Sequence, residues 1–224
     1  MQYTNRHALS FSALRRAVGW LGIALPLSLL AGNFVFGQCL SLQDTISHYY
    51  YTVTGDLFVG ILCAVALFLF AYPGYPGDSD RWWTCAAGFF AVCIAFFPTH
   101  DNSAHSCAII HLPDNDLRRT VHYVSAGAFF LVLSGISLFL FTRGVGHATL
   151  QKRKRNRLYR ICGITIVLCV VVIAIYGLGH GDEGWSRYKP VFWLEWLALL
   201  AFGASWLVKG QFILADEQAT NARP

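Results

Sequence analysis

Aspartate, histidine and glutamate side chains bind divalent metal ions and move protons, and one of each lies at the edge of a long apolar run. Asp56 opens the run that continues "LFVGILCAVALFLFAY". His122 lies one turn into "VHYVSAGAFFLVLSGISLFLF" and Glu195 about one and a half turns into "VFWLEWLALLAFGASWLV". Ionisable groups inside a membrane face the bundle interior and find partners. The three therefore predict a polar pocket, with Asn33 joining from the end of the first apolar run. Ser47, His48, Tyr49, Tyr50 and Tyr51, from "TISHYYYTVTGDLFVG", would form its rim. A divalent ion such as zinc held by Asp56, His122 and Glu195 is the sharper form of this expectation. His100, His105 and His111 are further candidate ligands, but no HExxH, HxxxH or CxxC pairing is present. For Asp56 a simpler role stays open, because negative charge at a helix N-terminus is stabilised by roughly 0.3–1 kcal/mol.

The elements that position these residues follow from composition. The 224 residues are 55% hydrophobic and 13% charged, where soluble domains carry roughly 25% charged residues. Mean hydropathy is +0.47. An all-α polytopic membrane bundle is expected, because helices satisfy their own backbone hydrogen bonds in lipid. Six spans are predicted as one domain, at about 18–37, 55–73, 82–98, 120–142, 160–179 and 190–208. The second and third are short against the roughly 20 residues a spanning helix needs. Arg15 and Arg16 precede the first span as they would a secretory leader, but its length and the lack of a cleavage site favour a true span.

Lys and Arg orient such a bundle. With six spans, thirteen of the seventeen Lys and Arg fall on the side of the two termini, against Arg118, Arg119, Arg187 and Lys189 on the other. Both termini are therefore expected in the cytoplasm, with a bacterial inner membrane as the setting. Asp56, His122 and Glu195 then share one depth, just below the outer interface. "KRKRNRLYR", 152–160, is a topology anchor that can also attract anionic headgroups. So short a basic loop argues against a nucleic-acid partner; membrane lipids are the expected partners. Trp82, Trp83, Trp185, Trp193, Trp196 and Trp206 are placed near the interfaces, as an aromatic belt.

Of seven cysteines, Cys63, Cys85, Cys93, Cys162 and Cys169 lie inside spans as small apolar residues. Cys39 and Cys107 lie in the two outer loops, where a disulfide is allowed if that side is oxidising. Ser125, Gly127, Ala128 and Gly135, with Gly203, Ala204 and Ser205, suit close helix packing. No internal repeat and no pair of broken helices marks a transporter site.

The order "TISHYYYTVTGDLFVG", "FFP", "VHYVSAGAFF", "RNRLYRICG", "FWLEWLALLAFGASWLVKG" resembles an uncharacterised family of bacterial six-span membrane proteins over nearly the whole chain. Ser47, His122 and the span count are also similar to the DRAM-like and GPI-remodelling six-span proteins, a likeness that implies membrane lipid handling. A looser likeness to membrane hydrolases of the alkaline-ceramidase type would cast Ser47, Asp56 and His122 as zinc-site residues, but the late HxxxH pair is missing. The expected function is binding of a lipid headgroup or small polar ligand in the outward-facing pocket. An intramembrane metal-dependent lipid hydrolase is the alternative. A transport or electron-transfer component is the third reading; haem would require His48 to fold in toward His122.

Overall fold

The computed structural model describes residues 2–72, 80–100, 107–143, 149–178 and 183–215. The described residues are helices and their connections: α1 (Gln2–Gly37), a 3-10 turn (Ser47–Tyr51), α2 (Gly55–Phe70), α3 (Asp80–Phe96), α4 (Asp116–Gly135), α5 (Leu150–Leu178), the short α6 (Glu183–Ser186) and α7 (Pro190–Lys209). A π-helical stretch, Ile136–Leu140, continues α4. Four stretches are long and apolar enough to cross a membrane: Phe11–Gly37, Asp116–Leu140, Leu150–Leu178 and Pro190–Lys209. Gly55–Phe70 is apolar but shorter. At about 1.5 Å per residue, its 16 residues reach roughly 24 Å.

Each of the six long helices packs on its neighbour in sequence, and α7 closes the ring against α1. Aromatic rings fill the centre. Trp206 is 1% exposed and meets Tyr72, Phe141 and Phe202 edge-on. It is therefore a core residue and not part of an interfacial belt. Its ring neighbours come from α7 itself and from the ends of two other segments, and they bury the indole. Trp82, Trp185 and Trp193 are exposed.

Small residues bring the backbones close. A Cβ built on Gly203 of α7 would lie 2.6 Å from the Gly19 carbonyl of α1, so this crossing tolerates only hydrogen. Between α4 and α5, Ser134 Oγ donates to the Gly163 carbonyl and Ser137 Oγ to the Tyr159 carbonyl, both at 2.9 Å. These bonds sit where α4 passes into its π turn.

The basic run lies elsewhere than expected. Residues 152–160 are not loop but the first turns of α5, which begins at Leu150. Likewise α1 extends far before residue 18. Polar residues at a helix end continue the hydrogen-bond ladder beyond the apolar stretch, and hydropathy does not register them.

Candidate functional site

The segment between α1 and α2 is the structural centre of one end of the bundle. Its residues are tied down from several directions. Cys39 is joined to Cys107 by a disulfide that links this segment to the one before α4. The Tyr51 carbonyl accepts the backbone N–H groups of Ile109 and Ile110, at 2.8 and 3.2 Å. The Tyr51 hydroxyl donates to the Thr99 carbonyl at 2.6 Å. From α7, the Phe192 N–H donates to the Asp44 carbonyl at 3.1 Å. Lys189 Nζ pairs with the Asp44 carboxylate. A Cβ at Gly55 would run into the Tyr50 carbonyl, so the turn folds tightly back onto the start of α2.

Glu195 belongs to this clamp. Its Oε2 accepts the Ile46 N–H at 2.6 Å, just before the 3-10 turn. Helix starts leave N–H groups without intrahelical partners, and the carboxylate answers that need from a neighbouring helix. The polar residue inside the apolar run is thus a receptor for loop amides.

His122 is 2% exposed, and its Nδ1 lies 2.7 Å from the Phe97 carbonyl. Since a carbonyl only accepts, Nδ1 carries the proton and donates. The ring ties α4 to the end of α3. Asp56 is exposed at the first turn of α2. The expectation that Asp56, His122 and Glu195 share one pocket is not carried by their surroundings. One side chain faces outward, one meets the Phe97 carbonyl and one meets the Ile46 amide. Among the described residues no group of three or more His, Cys, Asp and Glu is placed to hold a metal ion. His100 pairs with Asp114 at 2.9 Å, His111 is exposed, and His105 lies outside the described residues.

The expected rim is also differently placed. Ser47 and His48 are buried, and His48 Nδ1 meets Thr45 Oγ1 at 2.8 Å within its own turn. Tyr50 is half-buried, edge-on to Tyr51 with ring centroids 5.3 Å apart. These residues form the packed body of the turn rather than the lip of an opening.

Asn33 does line a cavity. A space of about 280 Å3 lies between the end of α1 and the segment that follows, walled by Leu30, Asn33, Phe34, Cys39, Leu40 and Tyr49. Asn33 is 2% exposed, and its Oδ1 has no hydrogen-bond partner. Tyr49 is 1% exposed; its phenol oxygen lies near the Gln43 backbone but outside hydrogen-bond geometry. Burial pushes the Tyr49 phenol above its ordinary pKa, with the Gln43 backbone opposing. The outer wall is apolar and open: Phe34 is 55% exposed and Leu40 80%. Sequence reading set Tyr49 beside Tyr50 as rim. Its signal was its place in a tyrosine triplet, which does not say which ring turns inward.

No family model matches the chain, and neither a curated protein nor a solved structure similar to it was found.

Proposed function

We propose that this chain is a non-catalytic six-span membrane protein that holds a polar headgroup or small polar ligand in the cavity between α1 and the 3-10 turn. One observation carries the reading: Asn33, whose buried Oδ1 has no hydrogen-bond partner, is among the residues that line the cavity. A buried acceptor left unsatisfied costs about 1–3 kcal/mol. A ligand donor placed there recovers that loss. Oδ1 calls for an O–H or N–H, and the Tyr49 hydroxyl, on another residue of the same lining, can donate or accept. A hydroxyl on the ligand suits either group.

The remaining wall selects for an amphiphile. Leu30, Phe34 and Leu40 offer apolar surface, and the exposed faces of Phe34, Val35, Phe36 and Leu40 continue it outward. The volume lies at the small end of ligand pockets, roughly 300–1,000 Å3. It suits a headgroup or the first part of a chain, with the rest lying in lipid.

The same reading includes topology. All six long helices belong to the closed ring, which supports six spans although α2 and α3 are short. The distribution of Lys and Arg supports cytoplasmic termini in a bacterial inner membrane. The Cys39–Cys107 disulfide supports an oxidising compartment on the cavity side.

The test is solvent extraction of protein purified in a neutral detergent, followed by mass spectrometry of what is released. A hydroxyl-bearing amphiphile at a constant ratio to protein supports the proposal. Only bulk lipid, in proportions matching the host membrane, counts against it. Among the described residues no His, Cys, Asp and Glu cluster favours the hydrolase reading.

A further inference from the structure

The Asn33 cavity and the Cys39–Cys107 disulfide share a wall. Cys39, Leu40 and Ser41 all line that cavity, and the Cys107 sulfur lies 3.8 Å from the Ser41 carbonyl oxygen. The link therefore holds the strip of chain that closes one side of the space. We propose that the disulfide is a redox latch on the cavity: its reduction frees this strip and releases the bound amphiphile. The inference rests on the reading of the cavity as a ligand site.

The fold confines the effect to a short strip. At one end, Gln38 follows the last residue of α1 with a φ of 49°, in the left-handed region. A residue other than glycine stays there where its surroundings hold it. The disulfide holds the very next residue, Cys39. The Cys39 N–H donates to the Asn33 carbonyl at 3.3 Å, a long bond. At the other end the chain is fixed without the disulfide. Leu42 packs on the core and Gln43 is buried. Asp44 is held by the Phe192 amide and Lys189, and Ile46 by the Glu195 carboxylate. Between these anchors lie residues 38–41, of which Gln38, Leu40 and Ser41 are exposed. Breaking the link leaves Asn33 on α1 and Tyr49 in the 3-10 turn, and frees three lining residues that lie between them in sequence.

The chemistry is thiol–disulfide exchange with a dithiol donor. Cys39 is half-buried and Cys107 buried, so the donor thiolate attacks the Cys39 sulfur. A bond from donor to Cys39 forms as the Cys39–Cys107 bond breaks, and the departing Cys107 thiolate takes up the donor's first proton. The donor's second thiol, losing its proton, then attacks the donor sulfur of the mixed disulfide, and Cys39 leaves and takes up that proton. Two electrons and two protons pass to the protein, and the donor ends as a disulfide.

The experiment uses full-length protein, washed free of co-purified adducts in a neutral detergent without hydroxyl groups, and monooctanoylglycerol as the probe. Binding is read from adduct mass in native mass spectrometry, before dithiothreitol, after it and after reoxidation. Amide exchange is followed at Cys39 and at Ile46. Reduction should weaken probe binding at least tenfold and speed exchange at Cys39, with Ile46 unchanged, and reoxidation should restore both. Equal binding by oxidised and reduced protein overturns the latch and leaves the cavity reading standing. No binding by the oxidised protein overturns the cavity reading, and the latch with it. Equal acceleration at both amides marks a link that stabilises the fold as a whole and overturns the latch, as does unchanged exchange at Cys39. Cys39→Ser/Cys107→Ser should match the reduced protein and ignore dithiothreitol. If that variant does not fold, reduction of the folded wild type carries the test alone.

Discussion

The Glu195 carboxylate on α7 accepts the backbone N–H of Ile46 at 2.6 Å. A charge that looks costly inside an apolar helix is thereby spent on fixing a loop. The same helix holds that loop through the Phe192 amide and through Lys189, which pairs with Asp44. Segment and helix complete each other, and the cavity beside Tyr49 inherits its shape from that clamp.

Replacing Glu195 separates this role from metal binding. Glu195→Leu strands the buried Ile46 amide and should lower stability by about 1–3 kcal/mol. Glu195→Gln keeps a carbonyl acceptor and should lose less. Melting temperatures in detergent give the order wild type, then Gln, then Leu. Equal stability of Leu and wild type would remove the clamp from the account.

The disulfide has a countable consequence. The chain has seven cysteines, five of them free among the described residues. Alkylation of the denatured, unreduced protein should add five groups, and seven after reduction. Cys39→Ser/Cys107→Ser opens a link spanning 68 residues, with an expected loss of about 2–4 kcal/mol. Seven groups without reduction would contradict the link.

The crossing of α1 and α7 predicts a sharp contrast between glycines. Gly203→Val forces a side chain against the Gly19 backbone and should cost about 1–3 kcal/mol. A Cβ at Gly127 meets nothing within 4 Å. Gly127→Ala should be neutral or stabilising, by up to about 1 kcal/mol. Comparable destabilisation by both would place the close contact elsewhere.

Tyr49 sets an alkaline limit on the turn. Its folded pKa is raised by burial above the ordinary 10.0. A raised acid favours the folded state fully below the ordinary value, and the contribution disappears as pH climbs through the raised one. A titration followed at 295 nm should therefore lose a late tyrosinate component in Tyr49→Phe. An unchanged late component would assign that titration to another tyrosine.

Much of this architecture was readable in the residues, and the reasons for the rest are physical. Apolar length marks helices, so the long helices are directly legible, as is the Cys39–Cys107 pairing. Depth is also legible, since it needs only counting from a helix end. Facing is not. Lipid is as apolar as a protein core, so a helix such as α5 carries little contrast between its buried and exposed sides. The place of Asp56 in the first turn of α2 is therefore legible, while its outward direction is hidden. Trp206 lies near the end of α7, where an interfacial place is expected from sequence, yet it turns inward onto Tyr72 and Phe141. The Asp44–Lys189 pair joins residues 145 apart, which no local pattern announces.

The most direct test of the Asn33 cavity compares wild type with Asn33→Leu by native mass spectrometry and thermal melting in a neutral detergent. An apolar side chain of similar size removes the orphaned acceptor, so the ligand-free variant should melt at or above the wild-type temperature. The ligand adduct should fall at least tenfold. A well-folded Asn33→Leu that keeps the wild-type adduct would contradict the assignment of this cavity, as would a wild type that carries no adduct from its native membrane.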